Sequence, residues 1–167
     1  MPGKDTDIAK HGRHDRLVRE RIHDPYMTRS KLPEPTVCPQ CGVVFAEGRW
    51  NWPTGGVEAV NEHMCPACQR IRDRVPAGFL TLRGDFLGEH RDEILNLVRN
   101  KAESEGRRHP MNRIMDIEDG DDGAVVITFT DTHLPTGVGR AIESSWEGRL
   151  DIQYTEEAGI VRVYWER

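Results

Sequence analysis

Three observations predict an α+β fold in two parts. Two matched pairs, Cys38-Pro39-Gln40-Cys41 and Cys65-Pro66-Ala67-Cys68, contain all four cysteines of the chain. Behind them, two stretches repeat apolar residues at the 3.6-residue period of a helix. Each stretch is followed by two strand-like runs joined by a turn, with apolar residues alternating in most of them. The expected architecture is an N-terminal cysteine-bearing ribbon followed by a two-layer domain. That domain is read as two helices on a four-stranded antiparallel sheet, in the order helix–hairpin–helix–hairpin.

Residues 1–36 read as a flexible N-terminal arm. Charges alternate in His14-Asp15-Arg16 and Arg19-Glu20-Arg21, large apolar groups are few, and Pro33 and Pro35 close the segment in extended conformation. A short helix over Asp15–His23 fits Leu17, Val18 and Ile22 on one side.

Residues 37–84 read as the ribbon. Val37, Val43, Val44 and Phe45 suit short strands beside the first cysteine pair. Gly48 to Gly56 forms a loop holding Trp50 and Trp52, and Gly78–Gly84 reads as one more strand bounded by glycines. Between the pairs lie 23 residues, 42–64, a spacing of the zinc-ribbon kind. Four thiolates satisfy a closed tetrahedral structural site with no open position for substrate. A segment of this size cannot bury a sufficient core alone, so a metal is needed to fold it. Cys38, Cys41, Cys65 and Cys68 are therefore expected to bind zinc, which makes the segment a zinc ribbon. Iron held by similar knuckles and a redox dithiol are the competing readings. His63, two residues before Cys65, is expected to face solvent or support a ligand from outside.

Residues 85–167 supply the second domain. Phe86, His90, Ile94, Leu95, Val98 and Ala102 share one face of a helix over Asp85–Glu105, stopped by Gly106 and Pro110. Arg113–Glu118 and Ala124–Thr130 form a hairpin across the acidic turn 119–123. The second helix begins near Asp131 or Thr132, carries Leu134, Val138, Ala141, Ile142, Ser145 and Trp146, and ends at Gly148. Leu150, Ile152 and Tyr154, then Val161, Val163 and Trp165, alternate in the last hairpin.

Composition narrows the function classes. No apolar run approaches the roughly 20 residues of a membrane helix, and Met1–Pro35 shows no signal-peptide core. A cytoplasmic, reducing location is expected, where paired cysteines bind metal more often than they form disulfides. Residues 110–167 carry five Lys and Arg against twelve Asp and Glu, whereas residues 1–34 carry eight against six. That asymmetry argues against nucleic acid covering the whole surface but leaves a local basic face. Arg49, Trp50 and Trp52 have the composition of a stacking platform for single-stranded nucleic acid or of a protein contact; covering the cysteine knuckle is the plainer role. Arg70, Arg72 and Arg74 would share one face of a strand and meet phosphates, or simply be solvated. Asp131 and His133 lack a serine or cysteine nucleophile beside them, and Asp119, Asp121 and Asp122 lack the spacing of a calcium loop.

The run from Cys38-Pro39-Gln40-Cys41-Gly42 through Gly48-Arg49-Trp50, Cys65-Pro66-Ala67-Cys68, Pro76-Ala77-Gly78 and His109-Pro110 to Ile114-Met115 resembles a family of small proteobacterial zinc-ribbon proteins. The resemblance covers roughly Pro25 to Arg167. The two knuckles more distantly resemble the zinc-binding region of the adaptor that escorts the large ribosomal subunit during export. The more distant likeness implies zinc and points toward an RNA or ribosome partner, and neither resemblance implies a catalytic residue. The expected function is that of a non-enzymatic zinc-ribbon protein contacting RNA or the ribosome. A protein–protein adaptor without nucleic-acid contact, or a thiol redox enzyme, are the alternatives.

Overall fold

The computed structural model describes residues 24–58, 61–155 and 159–167. The helix expected over Asp15–His23 and most of the arm lie outside the described residues.

The first unit is a small sheet of four short strands, β1 (Thr36–Val37), β2 (Val44–Ala46), β3 (Arg49–Asn51) and β4 (Asn61–Glu62), in the order β3-β2-β1-β4. β1, β2 and β3 run antiparallel, and β4 lies parallel to β1. The β2–β3 turn is the two residues Glu47 and Gly48, with φ of 54° and 76°. Two positive φ values give a turn whose twist matches that of the strands. Glu47 is an unusual residue there, and Glu34 explains its placement: its carboxylate accepts from the Glu47 and Gly48 N–H groups at 3.0 and 3.1 Å. Residues 24–36, expected as the end of the arm, are thus tied to this unit, and Thr36 is buried in β1.

A helix absent from the expectation, α1 (Pro66–Asp73), follows β4. Cys65 is its N-cap, and its sulfur accepts from the Cys68 N–H at 3.4 Å. Pro66 takes the first helical position, where a missing N–H costs nothing. Arg74 ends the helix in the left-handed conformation.

The larger unit contains β5 (Gly78–Arg83), α2 (Asp85–Arg108), β6 (Ile114–Asp119), β7 (Val125–Phe129), α3 (His133–Trp146), β8 (Arg149–Thr155) and β9 (Ile160–Glu166). Its sheet has five strands in the order β6-β7-β5-β9-β8, all antiparallel except β5 with β9. This corrects the expectation of four antiparallel strands. The glycine-bounded strand read as part of the ribbon is instead the centre of this sheet. Leu80 and Leu82 explain why: both are wholly buried, and only the middle of a covered sheet offers that.

The two long helices stand as expected, on one face of the sheet. Leu87, Ile94, Leu95 and Val98 of α2, with Leu134, Val138 and Ile142 of α3, join Leu80, Leu82, Ile127, Phe129, Val163 and Trp165 in one core. Phe86 lies at the rim, stacked on His90 with ring centroids 4.1 Å apart. The backbone of α2 departs from helical angles at His90. Gly139 lets α3 settle onto the sheet: a Cβ there would stand 2.8 Å from Val163 Cγ1 and 3.0 Å from Leu150 Cδ1. Among the described residues no helix is long and apolar enough to cross a membrane.

Candidate metal centre

The small unit has little apolar material of its own. Its buried cluster is Cys38, Val43, Cys65, Ala67 and Cys68, with Cys41, Trp50, Met64 and Met111 partly buried around them. Sulfur occupies the place that leucine and phenylalanine fill in the larger core.

Each cysteine reaches the cluster from a defined element. Cys38 and Cys41 stand on the turn between β1 and β2, closed by Cys38 N–H to Val43 O at 2.8 Å and Gly42 N–H to Cys38 O at 2.9 Å. Gly42 supplies the φ of 81° that this turn requires. Cys65 and Cys68 stand at the start of α1. The four sulfurs lie within 4.8 Å of one another, and those of Cys41 and Cys65 are 3.8 Å apart. An ion with metal–sulfur bonds of about 2.3 Å in a tetrahedron holds its sulfurs about 3.8 Å apart. The residues therefore fit a single tetrahedral ion. Among the described residues no other set of Cys, His, Asp or Glu side chains converges in this way. His63 lies outside the cluster, its Nε2 3.5 Å from Gln69 Nε2.

The electrostatics of the bare thiols point the same way. Burial pushes the Cys65 thiol well up and the Cys68 thiol up to about 11. Burial also opposes ionisation of Cys38, but N–H groups of Cys65, Cys41 and Gln40 outweigh it and bring that thiol down to about 7. Four acids in one dry pocket cannot all ionise without a cation among them. A divalent ion removes that obstacle, because coordinated thiols are deprotonated outright.

One residue of the site was not expected. Arg113, between α2 and β6, points its guanidinium into the cluster and donates to Cys41 Sγ at 3.3 Å and Cys68 Sγ at 3.4 Å, with Cys65 Sγ at 3.9 Å. Its Nε donates to Pro110 O at 2.6 Å, and its backbone N–H donates to the buried Thr130 hydroxyl at 2.9 Å. That hydroxyl in turn donates to Met111 O at 2.6 Å. Burial works against the charge on Arg113, yet the neighbouring sulfurs, Cys41 first, hold its pKa above the ordinary arginine value.

The expected contact residues divide into two groups. Trp50 packs against the cysteine cluster and meets Phe45 edge-on at 5.5 Å. Trp52 donates its Nε1–H to Gly106 O of α2 at 2.7 Å, and its ring lies over Arg113, 5.4 Å from Cζ. Trp50 covers the knuckle, whereas Trp52 covers Arg113 and keeps 40% of its surface exposed. Arg70, Arg72 and Arg74 lie on α1 and at its C-cap rather than on a strand, so they do not share a face. Arg70 is buried; it donates to Val75 O at 2.9 Å and Asp24 Oδ1 at 2.7 Å and lies over the Tyr26 ring. Arg72 is exposed and pairs with Asp73, while Arg49 and Arg74 are exposed. Asp131 is occupied as a helix cap, its Oδ2 accepting from His133 and Leu134 N–H groups at 2.9 Å each.

Comparison of the chain with known protein families, with curated proteins and with solved structures returns no significant match.

Proposed function

We propose that this chain is a non-catalytic binding protein whose first unit is a zinc ribbon, organised by one structural zinc ion, and that it contacts RNA or a ribosomal surface in the cytoplasm. The observation that carries the metal part is the closure of the site. Four sulfurs surround one point, Arg113 and Trp50 pack against it, and the ligand set leaves no position for a substrate. Zinc suits a set of four thiolates with no redox demand. A dithiol exchanging electrons is less well supported, because each candidate pair shares its pocket with the other two sulfurs.

The partner part rests on what remains exposed around the ribbon. Arg49, Arg72 and Arg74 face solvent, and the open edge of Trp52 adds an aromatic surface. Guanidinium groups with an indole suit a flexible nucleic-acid strand. A protein partner is the second reading, favoured by one feature of the larger unit. Asp116, Glu118, Asp119, Asp121 and Asp122 are all exposed along edge strand β6 and the turn after it. Such an edge would repel RNA and suit a basic protein.

The test is made on one native preparation. We expect one zinc per chain and four thiols unreactive until a chelator is added. We expect the chain to co-sediment with ribosomes at low salt and to lose that association as salt rises. Metal-free native protein with freely reactive thiols would overturn the zinc reading. Absence from the ribosome pellet at every salt concentration would leave the acidic edge and a protein partner.

A further inference from the structure

Arg113 belongs to the larger unit by sequence and by its hydrogen bonds. It lies 45 residues from Cys68 and 72 from Cys41. Its backbone is fixed to Thr130 at the end of β7 and its Nε to Pro110. Its charge nevertheless ends among the sulfurs of the other unit. Among the described residues its guanidinium pairs with no carboxylate. The sulfurs of Cys41, Cys68 and Cys65 are the partners within its reach.

A divalent ion bound by four thiolates carries a net charge of about −2. Buried charge of that kind must be paired or hydrogen-bonded. The cluster's own backbone supplies the N–H groups of Cys65, to Cys38 Sγ at 3.3 Å, and of Cys68, to Cys65 Sγ at 3.4 Å. Arg113 supplies the full positive charge and, through the fork of its guanidinium, reaches two sulfurs on different knuckles. A lysine is less suited to this, because its ammonium is a compact charge on a flexible stem without the planar fork. Trp52 completes the joint by covering the guanidinium and bonding to the last turns of α2.

We infer that Arg113 is the counter-charge of the metal centre, and that through it metal occupancy of the ribbon governs how firmly the ribbon is held against the α+β unit. The inference rests on reading the cluster as a metal centre. Its logic is linkage. With the ion bound, the two knuckles are held at the spacing that lets one guanidinium reach a sulfur on each; with the ion gone, nothing fixes those two sulfurs for the fork. Metal therefore strengthens the joint, and by reciprocity the joint strengthens metal binding by the same factor. The structure thus builds a metal-dependent clasp between two units whose apolar cores are separate.

The full-length, zinc-loaded protein is compared with R113Q and R113K. The first readout is transfer of zinc to a competing chelator. Outer partners of metal ligands commonly set affinity by about 10–100-fold, so R113Q is expected to bind zinc about 10–100-fold more weakly, with R113K between it and the wild type. The second readout is hydrogen exchange at saturating zinc. Segments 48–52 and 106–113 should exchange faster in R113Q, while β5 and β9 keep their protection. Equal zinc affinity of R113Q and the wild type would overturn the role of Arg113 while leaving the metal centre standing. Absence of zinc from the wild type would instead remove the reading beneath it. Should R113Q fail to fold, the wild type carries the test alone: chelation must loosen segments 48–52 and 106–113, and unchanged protection there would overturn the inference.

Discussion

Asp131 shows how one side chain can serve the fold at a cost that pH reveals. Oδ2 caps α3, whereas Oδ1 is buried with no hydrogen-bond partner among the described residues. Burial holds the carboxyl above its ordinary value, against the pull of the two N–H groups it accepts from. A raised native pKa means that the folded state holds the proton more tightly than the unfolded state does. The ionised group therefore subtracts from stability, and the loss develops as pH rises from about 3.9, the unfolded value, through the native one. Asparagine keeps the acceptor and does not titrate. D131N is expected to be at least as stable as the wild type at pH 7, with the difference shrinking as the solution is acidified toward pH 4. D131A, without a cap, should lose about 1 kcal/mol. Thermal melts of the three proteins across that pH range check both statements, and a D131N deficit at pH 7 would contradict the first.

At the scale of elements, the contact of α3 with the sheet depends on a residue that a helix ordinarily disfavours. Gly139 lies inside α3, where glycine costs about 1 kcal/mol relative to alanine. Its place is explained by Val163 Cγ1 and Leu150 Cδ1, which stand where a side chain would go. G139L should overpack this contact and lose about 1–3 kcal/mol, lowering the melting midpoint by several degrees, while an unchanged midpoint would show that α3 can lift off the sheet freely. This glycine also marks what the sequence could not express. The stripes of α2 and α3 and the alternation of β7 to β9 were legible, because each is a local pattern with a fixed period. The role of β5 was not: Leu80 and Leu82 alternate like any strand, but the parallel partner that buries them, β9, begins 82 residues after Gly78 and pairs from Val161 onward. α1 was hidden because Pro66 reads equally well as a turn inside a knuckle or as the first residue of a helix. The four ligands could be read from spacing alone. Arg113 could not, since nothing in Pro110-Met111-Asn112-Arg113 announces a contact with residues so far away in sequence.

For the whole molecule, the separation of the two cores has a consequence that substitutions can expose. The larger core contains Trp165, fully buried, with its Nε1–H donating to Glu147 O at 2.7 Å and Phe86 against its edge. The smaller core is mostly sulfur, so on the proposed metal reading its stability comes from an ion rather than from apolar burial. Damage to one should therefore spare the other below its own transition. W165A removes a large core side chain, a loss of about 3–5 kcal/mol. For a unit of this size that lowers the midpoint by more than about 10 °C. On the proposed zinc reading, the protein below that midpoint still carries its ion. C65S should do the reverse: on the same reading metal content falls to near zero, while the main thermal transition moves only by the small contribution of the Arg113 joint. Calorimetry with metal analysis on both variants separates this from a single cooperative fold. If C65S abolished the main transition, the ion would be organising the entire chain, and the division of labour between sulfur and apolar core would have to be abandoned.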